Sequence, residues 1–121
     1  MTTWTDKIIQ AAIEVHRTLG PGLLESVYEE CLCHELRYFG INFERQKILP
    51  INYKGLLLEG GYRIDLIVEN SVVLELKCVD KILGIHEAQL LTYLKISGIH
   101  TGLILNFLSP LLKDGIKRMV L

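Results

Sequence analysis

The sequence has no excess of basic residues, because 13 Lys and Arg are set against 14 Asp and Glu, a formal net charge of −1. Domains that bind duplex nucleic acid unaided are typically basic. Basic side chains do occur in two groups, which ordinary solvated positions also explain: Arg45, Lys47 and Lys54, then Lys113, Lys117 and Arg118. Any binding to nucleic acid is therefore expected to be weak, metal-assisted, or shared with a partner protein or the second subunit of a homodimer.

Cysteines are few and odd in number. Cys31 and Cys33 are two positions apart on a predicted helix, so they point in different directions, and Cys78 stands alone. This arrangement supports neither a disulfide framework nor a tetrahedral metal site. An iron–sulfur cluster would need more cysteines than the chain has. We expect reduced, partly buried thiols.

Long hydrophobic runs are also missing, although 50% of the residues are hydrophobic. No segment approaches the length of apolar sequence that crosses a bilayer, so we expect no membrane association. The N-terminal residues begin a helix rather than a signal peptide, which makes a cytoplasmic location the expectation. With no linker, repeat or low-complexity segment, the 121 residues predict a single domain over 1–121.

The spacing of the apolar residues predicts an α/β fold. Helices are expected over 6–19, 23–39 and 85–97 and from residue 109 onward, and strands over 42–49, 51–53 and 56–59 before a hairpin that carries Asp65 and Glu75. Gly60-Gly61 is expected to interrupt the pairing and bend the sheet. The apolar strand over 101–107 predicts burial on both faces and a parallel neighbour. The expected order is ααββββαβα, a single mixed central sheet flanked by helices.

The register of the hairpin follows from its apolar residues. They alternate on both strands, and because directly opposed residues share a face, the two apolar sets must oppose each other. The resulting pairs are Val68 with Val72, Leu66 with Leu74, and Ile64 with Leu76. This register leaves residues 69–71 as a short turn and sets Asp65 opposite Glu75.

Glu75 and Lys77 point the same way, because side chains alternate along a strand, and Asp65 joins them on that face. The simpler alternative is a half-solvated hairpin whose Glu–Lys pair contributes a fraction of a kcal/mol, since Asp…Glu-x-Lys is a short and common pattern. Ile67 and Val73 share the same face, so it is not uniformly wet. The three charged residues are therefore candidates for a site.

The helix after the hairpin carries a polar stripe beside its apolar one. His86, Gln89 and Tyr93 fall at i, i+3 and i+7 on one face. Taken singly, Tyr93 also fits a core-edge aromatic and His86 a surface or capping histidine. Gln89 offers an acceptor and two donors and Tyr93 a hydroxyl, and neither is needed to pack a helix on a sheet.

Two carboxylates and a lysine held together on a sheet can bind a hard divalent cation and manage a proton beside a phosphate. Asp65, Glu75 and Lys77 are thus the minimum equipment for metal-assisted phosphodiester hydrolysis. Mg²⁺ or Mn²⁺ suits such an oxygen-rich, octahedral site.

These residues resemble the signature of the PD-(D/E)XK nuclease superfamily: an acidic residue on one strand, Glu/Asp-x-Lys on the next, and, in RecB-like branches, Gln-x-x-x-Tyr on the following helix. Gly22, Glu25 and Tyr28 also look like the Gly-x-x-Glu-x-x-Tyr motif of a small bacterial family within it. The similarity runs from Glu14 to the tail that begins at Ser109. The usual proline before the first acidic residue is replaced by Ile64.

The resemblance implies a metal-dependent nuclease that acts on nucleic acid, with DNA the expected substrate. Asp65 and Glu75 would be metal ligands, joined by a backbone carbonyl near Leu76 and by water. Lys77 would position or deprotonate the attacking water or stabilise charge on the phosphate, and Gln89 and Tyr93 would orient Lys77 or the phosphate.

Glu25 would complete the metal shell or hydrogen-bond a metal-bound water, and its alternative role is a structural contact between helix and sheet. The alternative function for the whole chain is a catalytically silent nuclease-fold module that acts through partner binding or dimerisation. The missing basic surface favours that alternative, whereas the intact Asp65, Glu75 and Lys77 oppose it.

Overall fold

The structure, a computed structural model, describes residues 3–121, and residues 1 and 2 of the predicted single domain lie outside the described part. The elements in chain order are α1 (Trp4–Leu19), α2 (Glu25–Tyr38), β1 (Phe43–Tyr53), β2 (Leu56–Val68), β3 (Val72–Lys77), α3 (Gly84–Ser97), β4 (Thr101–Asn106), a 3-10 turn at Leu112–Gly115, and β5 (Ile116–Val120). Among these elements, no helix has the length and apolar character needed to cross a bilayer.

The five strands form one mixed sheet in the order β1-β2-β3-β4-β5. Neighbouring strands are antiparallel except β3 and β4, which run parallel because α3 crosses between them. Residues 102–106 of β4 are all buried, which confirms the prediction of a buried strand with a parallel neighbour. The predicted fold class, a single mixed sheet flanked by helices, is confirmed.

Each face of the sheet has its own apolar layer. Helices α1 and α2 cover one face, where the buried residues include Ile8, Val15, Leu32, Leu36, Leu66, Leu74, Leu103 and Phe107. Helix α3 covers the other face, where Ile64, Ile67, Val73, Leu90, Leu94 and Ile104 are buried. Strands β3 and β4 therefore lie in the middle of three layers, which accounts for their nearly continuous apolar sequence.

The helix ends follow local capping rules. Thr3 Oγ1 accepts the Asp6 N–H at 3.1 Å and Asp6 Oδ2 accepts the Thr3 N–H at 3.3 Å, a capping box that starts α1. His86 Nδ1 accepts the Leu83 N–H at 2.9 Å. His86 is therefore a capping histidine, the alternative that the sequence left open for it. Helix α3 stops at Gly98, whose φ of 75° is the left-handed conformation that glycine favours.

The predicted helix in the tail is wrong. After the 3-10 turn, Ile116–Val120 forms a fifth strand that pairs antiparallel with β4, from Leu105 opposite Ile116 to Thr101 opposite Val120. Without β5, the largely apolar β4 would be an exposed edge of the sheet. The need to cover that edge makes the segment with Lys117 and Arg118 a strand.

The predicted strands before Asp65 are merged into two long ones. β1 continues through Pro50 to Tyr53, and β2 runs from Leu56 to Val68 in place of a strand that ends at residue 59. The Gly60-Gly61 interruption is confirmed, because the register shifts between the pairs Leu49–Tyr62 and Ile51–Leu58, with φ 73° at Gly60. The extra residues form a bulge within one strand, and a bulge bends a strand and increases its twist without ending it.

The contact between α3 and β4 depends on a glycine. A Cβ at Gly102 would lie 2.7 Å from Leu90 Cδ1 and 3.0 Å from its Cγ, and Leu90 is fully buried. We expect Gly102→Ala to lower the free energy of unfolding by about 1–3 kcal/mol through overpacking. Urea denaturation measures this.

Gly84→Ala is the matched control, because a Cβ there meets no atom within 4 Å and the residue begins α3. It should leave stability unchanged or raise it by up to about 1 kcal/mol. Equal stability of the two variants would show that α3 does not pack on β4 as described.

Candidate metal centre at the fork between β2 and β3

Strands β2 and β3 separate where the predicted site begins. Their ladder contains three pairs, Leu66–Leu74, Ile67–Val73 and Val68–Val72. The predicted pairs of Leu66 and Val68 are thus confirmed, whereas the predicted pairing of Ile64 with Leu76 is wrong. We call the opening beyond Leu66 and Leu74 the fork.

Two carboxylates bridge the fork. Glu75 Oε1 accepts the Asp65 N–H at 3.1 Å, and Asp65 Oδ2 accepts the Leu76 N–H at 2.9 Å. Each side chain takes a position that a backbone carbonyl would hold in a continuous ladder. The structure therefore brings Asp65 and Glu75 together as predicted, through side chain–backbone bonds that a simple register does not include.

The side chains of β2 change faces at Asp65. Leu66 packs in the layer under α1 and α2, yet Ile64, two residues earlier, packs in the layer under α3. Regular alternation would put both on one face. The neighbouring strand is irregular at the same level, because Gln46 has a φ of 49° and no ladder partner between the pairs Arg45–Leu66 and Lys47–Ile64.

Burial and mutual repulsion set the charge state of the carboxylate pair. Burial raises the pKa of Glu75 to about 8, and the nearby Asp65 charge adds to this, whereas the Asp65 N–H and Lys77 lower it. Burial also raises the pKa of Asp65, against the Leu76 N–H that lowers it. Without a cation, the two carboxylates resist being charged together, and a divalent cation would relieve that repulsion.

Lys77 lies at the end of β3 beside this pair. Its side chain is half-buried, and its charge lowers the pKa values of both Asp65 and Glu75. Its backbone is fixed from the other side, because Lys77 pairs with Asn106 and its carbonyl accepts the Phe107 N–H at 2.8 Å. The ammonium is thus carried by a strand that is held by hydrogen bonds on its β4 side.

Tyr93 also approaches the pair, from α3. It is 4% exposed, and burial, followed by the charges of Glu75 and Asp65, raises the pKa of its phenol to about 12. Its ring packs edge-on against Tyr62 of β2, with centroids 5.8 Å apart. Gln89 is half-buried one turn earlier on the same helix face.

Glu25 contacts the chain just after the C-terminal end of β3. Its Oε2 accepts the Cys78 N–H at 3.1 Å, immediately after Lys77. Its charge is the smallest of the influences on the pKa of Glu75, so it is within electrostatic reach of the fork. Within residues 3–121, no three His, Cys, Asp or Glu side chains form a ready metal cluster. A direct role of Glu25 as a metal ligand stays a prediction.

Tyr28, three residues after Glu25, fixes the loop before α2. Its hydroxyl donates to the Gly20 carbonyl and accepts the Leu23 N–H at 3.1 Å. Its ring is fully buried and stacks on Phe107 with centroids 4.5 Å apart. In the Gly22, Glu25 and Tyr28 spacing, the tyrosine is therefore a packing residue that sets the start of the helix carrying Glu25.

Three residues near the site were not predicted from the sequence: Glu29, Arg45 and Gln46. Glu29 is 7% exposed and accepts from Arg45 Nη2 at 2.8 Å and from Gln46 Nε2 at 2.8 Å. Gln46 Nε2 also lies 3.4 Å from Asp65 Oδ1, so it connects the helix to the carboxylate pair. The signal that could have identified Glu29 is its position four residues after Glu25, on the same helix face.

The donor chemistry fits a hard divalent cation. One oxygen of each fork carboxylate accepts a backbone N–H, and of the two remaining oxygens Asp65 Oδ1 has only the long 3.4 Å contact from Gln46 Nε2, so both can turn to another ligand. Buried carboxylate oxygens are the ligands that Mg²⁺ and Mn²⁺ prefer, and the cation would balance the charge that burial disfavours. Cys33 does not compete for the cation, because it is buried in the layer under α1 and α2.

Similarity to known proteins identifies the family of the chain. No curated protein is significantly similar to the chain. The crystal structure of SSO0001 is similar at 21% identity with a TM-score of 0.44, and the chain is covered over 94% of its length but spans only 62% of that protein chain. The family model of the PD-(D/E)XK nuclease superfamily matches residues 2–119. That match takes in α1 through nearly all of β5 and includes Asp65, Glu75 and Lys77, and the chain belongs to the PD-(D/E)XK nuclease superfamily.

Proposed function

We propose that this protein is a nuclease that uses Mg²⁺ or Mn²⁺ to hydrolyse phosphodiester bonds of DNA. The observation that carries the proposal is the pair of carboxylates at the fork, half-buried Asp65 and buried Glu75, with the Lys77 ammonium beside them. Membership of a nuclease superfamily supports the reaction class. A neutral side chain could also accept these backbone N–H groups, so the capping role alone does not call for two acids that repel each other.

Asp65 and Glu75 would hold the cation through their carboxylate oxygens, with a backbone carbonyl near Leu76 and water completing the set. Glu25 is assigned to the same centre, as a ligand or through a water. When bound, a divalent metal supplies charge for the phosphate in the transition state and lowers the pKa of bound water. The protein residues fix where that charge sits, because both carboxylates are also held by backbone N–H groups.

Lys77 would act on the water or on the phosphate. Its ammonium can position the attacking water, take part in its deprotonation, or stabilise negative charge on the reacting phosphate. Tyr93 and Gln89 would orient Lys77 or the phosphate from α3. The Tyr93 phenol, whose pKa is raised to about 12, is protonated at neutral pH, as an ordinary tyrosine is, and can donate a hydrogen bond.

Changing Asp65 should separate metal binding from folding. In Asp65→Asn, the amide oxygen can still accept the Leu76 N–H, and the repulsion with Glu75 is removed, so stability in metal-free buffer should be unchanged or slightly higher. Mn²⁺ affinity should fall by about 100-fold or more, because half the anionic ligand charge is lost. Calorimetric titration and thermal melts measure both effects.

Asp80→Asn is the control, since Asp80 is exposed outside the fork and should leave Mn²⁺ binding unchanged. Normal Mn²⁺ affinity in Asp65→Asn would remove Asp65 from the ligand set.

Changing Lys77 should affect turnover rather than metal binding. Lys77→Ala keeps both carboxylates, so Mn²⁺ affinity should be retained, whereas cleavage should fall by about 100-fold or more. The assay is cleavage of a panel of single- and double-stranded DNA with Mg²⁺ or Mn²⁺ and with EDTA. Lys81→Ala, at an exposed position, should cleave normally. Equal cleavage by wild type, Lys77→Ala and Asp65→Asn would show that the chemistry lies elsewhere or in a contaminant.

The raised pKa of Glu75 predicts how stability depends on pH. An unfolded glutamate titrates near 4.5 and folded Glu75 at about 8, so the folded state binds the proton more tightly between these values. Without metal, stability should therefore fall as pH rises from 5 to 8, with a slope of up to about 1.4 kcal/mol per pH unit. Urea unfolding at several pH values should show this slope in wild type.

Glu75→Gln should flatten the slope, because the amide does not titrate, whereas Glu59→Gln, exposed on β2, should retain it. The same slope in Glu75→Gln would assign the titration to another group.

A further inference from the structure

One residue in the middle of a strand has a left-handed backbone although it is not a glycine. Gln46 of β1 has a φ of 49°. Elsewhere in residues 3–121, positive φ at non-glycine residues occurs only in the two hairpin turns that flank β2: Lys54, Glu69 and Asn70. Such φ values are usual in hairpin turns but cost free energy in a strand, and glycine would remove that cost. A glutamine at this position therefore indicates that its side chain is used.

The backbone of Gln46 turns β1 over at the level of Asp65. The two residues lie at the same level, between two ladder pairs whose β2 members pack on opposite faces of the sheet: Arg45–Leu66 and Lys47–Ile64. Because directly opposed residues share a face, β1 and β2 change faces together at this level. The left-handed Gln46 is thus the part of β1 that matches the break in alternation at Asp65.

The side chain of Gln46 joins a buried carboxylate of α2 to Asp65. Its Nε2 donates to Glu29 Oε1 at 2.8 Å and lies 3.4 Å from Asp65 Oδ1. Glu29 is held in turn by Arg45, whose Nη2 and Nε donate to its Oε2 at 2.8 and 3.1 Å. The amide nitrogen carries two N–H groups, so it can serve both carboxylates at once.

Asp65 therefore has a partner at each carboxylate oxygen. The Leu76 N–H binds Oδ2 at 2.9 Å, and the longer contact with Gln46 is at Oδ1. A carboxylate oxygen has two lone pairs, so the contact with Gln46 leaves Oδ1 able to bind a cation as well. Rotation of the Asp65 carboxylate is restricted by contacts with two different strands.

We propose that Gln46 is a positioning residue of the metal centre, whose left-handed backbone turns β1 at the fork and whose amide directs the Asp65 carboxylate toward the cation. The proposal rests on the proposed function, since Gln46 is given no chemistry of its own. Groups that hydrogen-bond to a metal-binding carboxylate orient it, and their loss typically lowers metal affinity by about 10- to 100-fold.

Two substitutions separate the side chain of Gln46 from its backbone. Gln46→Ala removes the amide and keeps a Cβ on the left-handed backbone, whereas Gln46→Gly removes both. Calorimetric titration should show Mn²⁺ affinity about 10-fold or more below wild type in each variant. Thermal melts should place Gln46→Gly above Gln46→Ala by roughly 2–5 °C, because glycine adopts a positive φ without strain.

Lys54→Gly is the matched control, because Lys54 has the same φ of 49° and lies in the turn between β1 and β2. It should bind Mn²⁺ as the wild type does. Wild-type affinity in Gln46→Ala would overturn the role of the amide. An affinity that follows the melting temperatures of the two Gln46 variants would also overturn it, because Gln46 would then act only through the stability of β1.

Hydrogen exchange in metal-free buffer tests the contact between Gln46 and Asp65 without Mn²⁺. In Gln46→Ala, the Leu76 amide should exchange about 10-fold faster than in wild type, since its acceptor Asp65 is less restricted, while amides of β4 keep their protection. Unchanged exchange of Leu76 would contradict the proposal. Absence of Mn²⁺ binding by the wild type would overturn the metal centre itself, an outcome distinct from Mn²⁺ binding that neither Gln46 variant weakens.

Discussion

The rest of the site depends on the reciprocal hydrogen bonds across the fork, where Glu75 accepts from Asp65 and Asp65 accepts from Leu76. These bonds satisfy two backbone N–H groups that the separation of β2 and β3 leaves without ladder partners. They also hold two carboxylates close together, where burial and the Asp65 charge make Glu75 harder to ionise. The same two side chains therefore satisfy the backbone at the fork and provide carboxylate oxygens for a cation.

Helix α2 connects this pair to the remainder of the molecule. Its start is fixed by Tyr28, which binds the preceding loop and stacks on Phe107. From that position Glu25 contacts the backbone after Lys77, and Glu29 reaches Asp65 through Gln46. Helix and sheet thus meet through polar contacts along the site and through apolar packing on either side of it.

Much of the fold could be predicted from the sequence, because period and composition report burial directly. The apolar alternation at Leu66, Val68, Val72 and Leu74 correctly set the hairpin, and the apolar run of β4 correctly indicated a buried parallel strand. The prediction of a helix in the tail was wrong because this segment is a strand only through its pairing with β4. The residues of the tail themselves, which include the exposed Lys117 and Arg118, do not indicate that pairing.

The site was predictable in its members and less so in its geometry. The prediction that Asp65 and Glu75 lie together assumed that side chains alternate regularly between the faces of β2. In the structure the two residues meet where this alternation fails, between Ile64 and Leu66. That break depends on the left-handed Gln46 of another strand, for which the sequence has no local signal. Glu29 was missed because its partners, Arg45 and Gln46, lie on that same strand.

The parallel pairing of β3 with β4 has a consequence for the time course of folding. Asp65 and Glu75 belong to one hairpin with a three-residue turn, which closes early because its ends are near in sequence. Tyr93 takes its place only after α3 has crossed the sheet and Val72 has met Thr101, a contact of much larger sequence separation. A chain caught partway, as during synthesis, would hold the acidic pair and Lys77 of the hairpin without the Tyr93 phenol, so the candidate site is completed only when α3 docks.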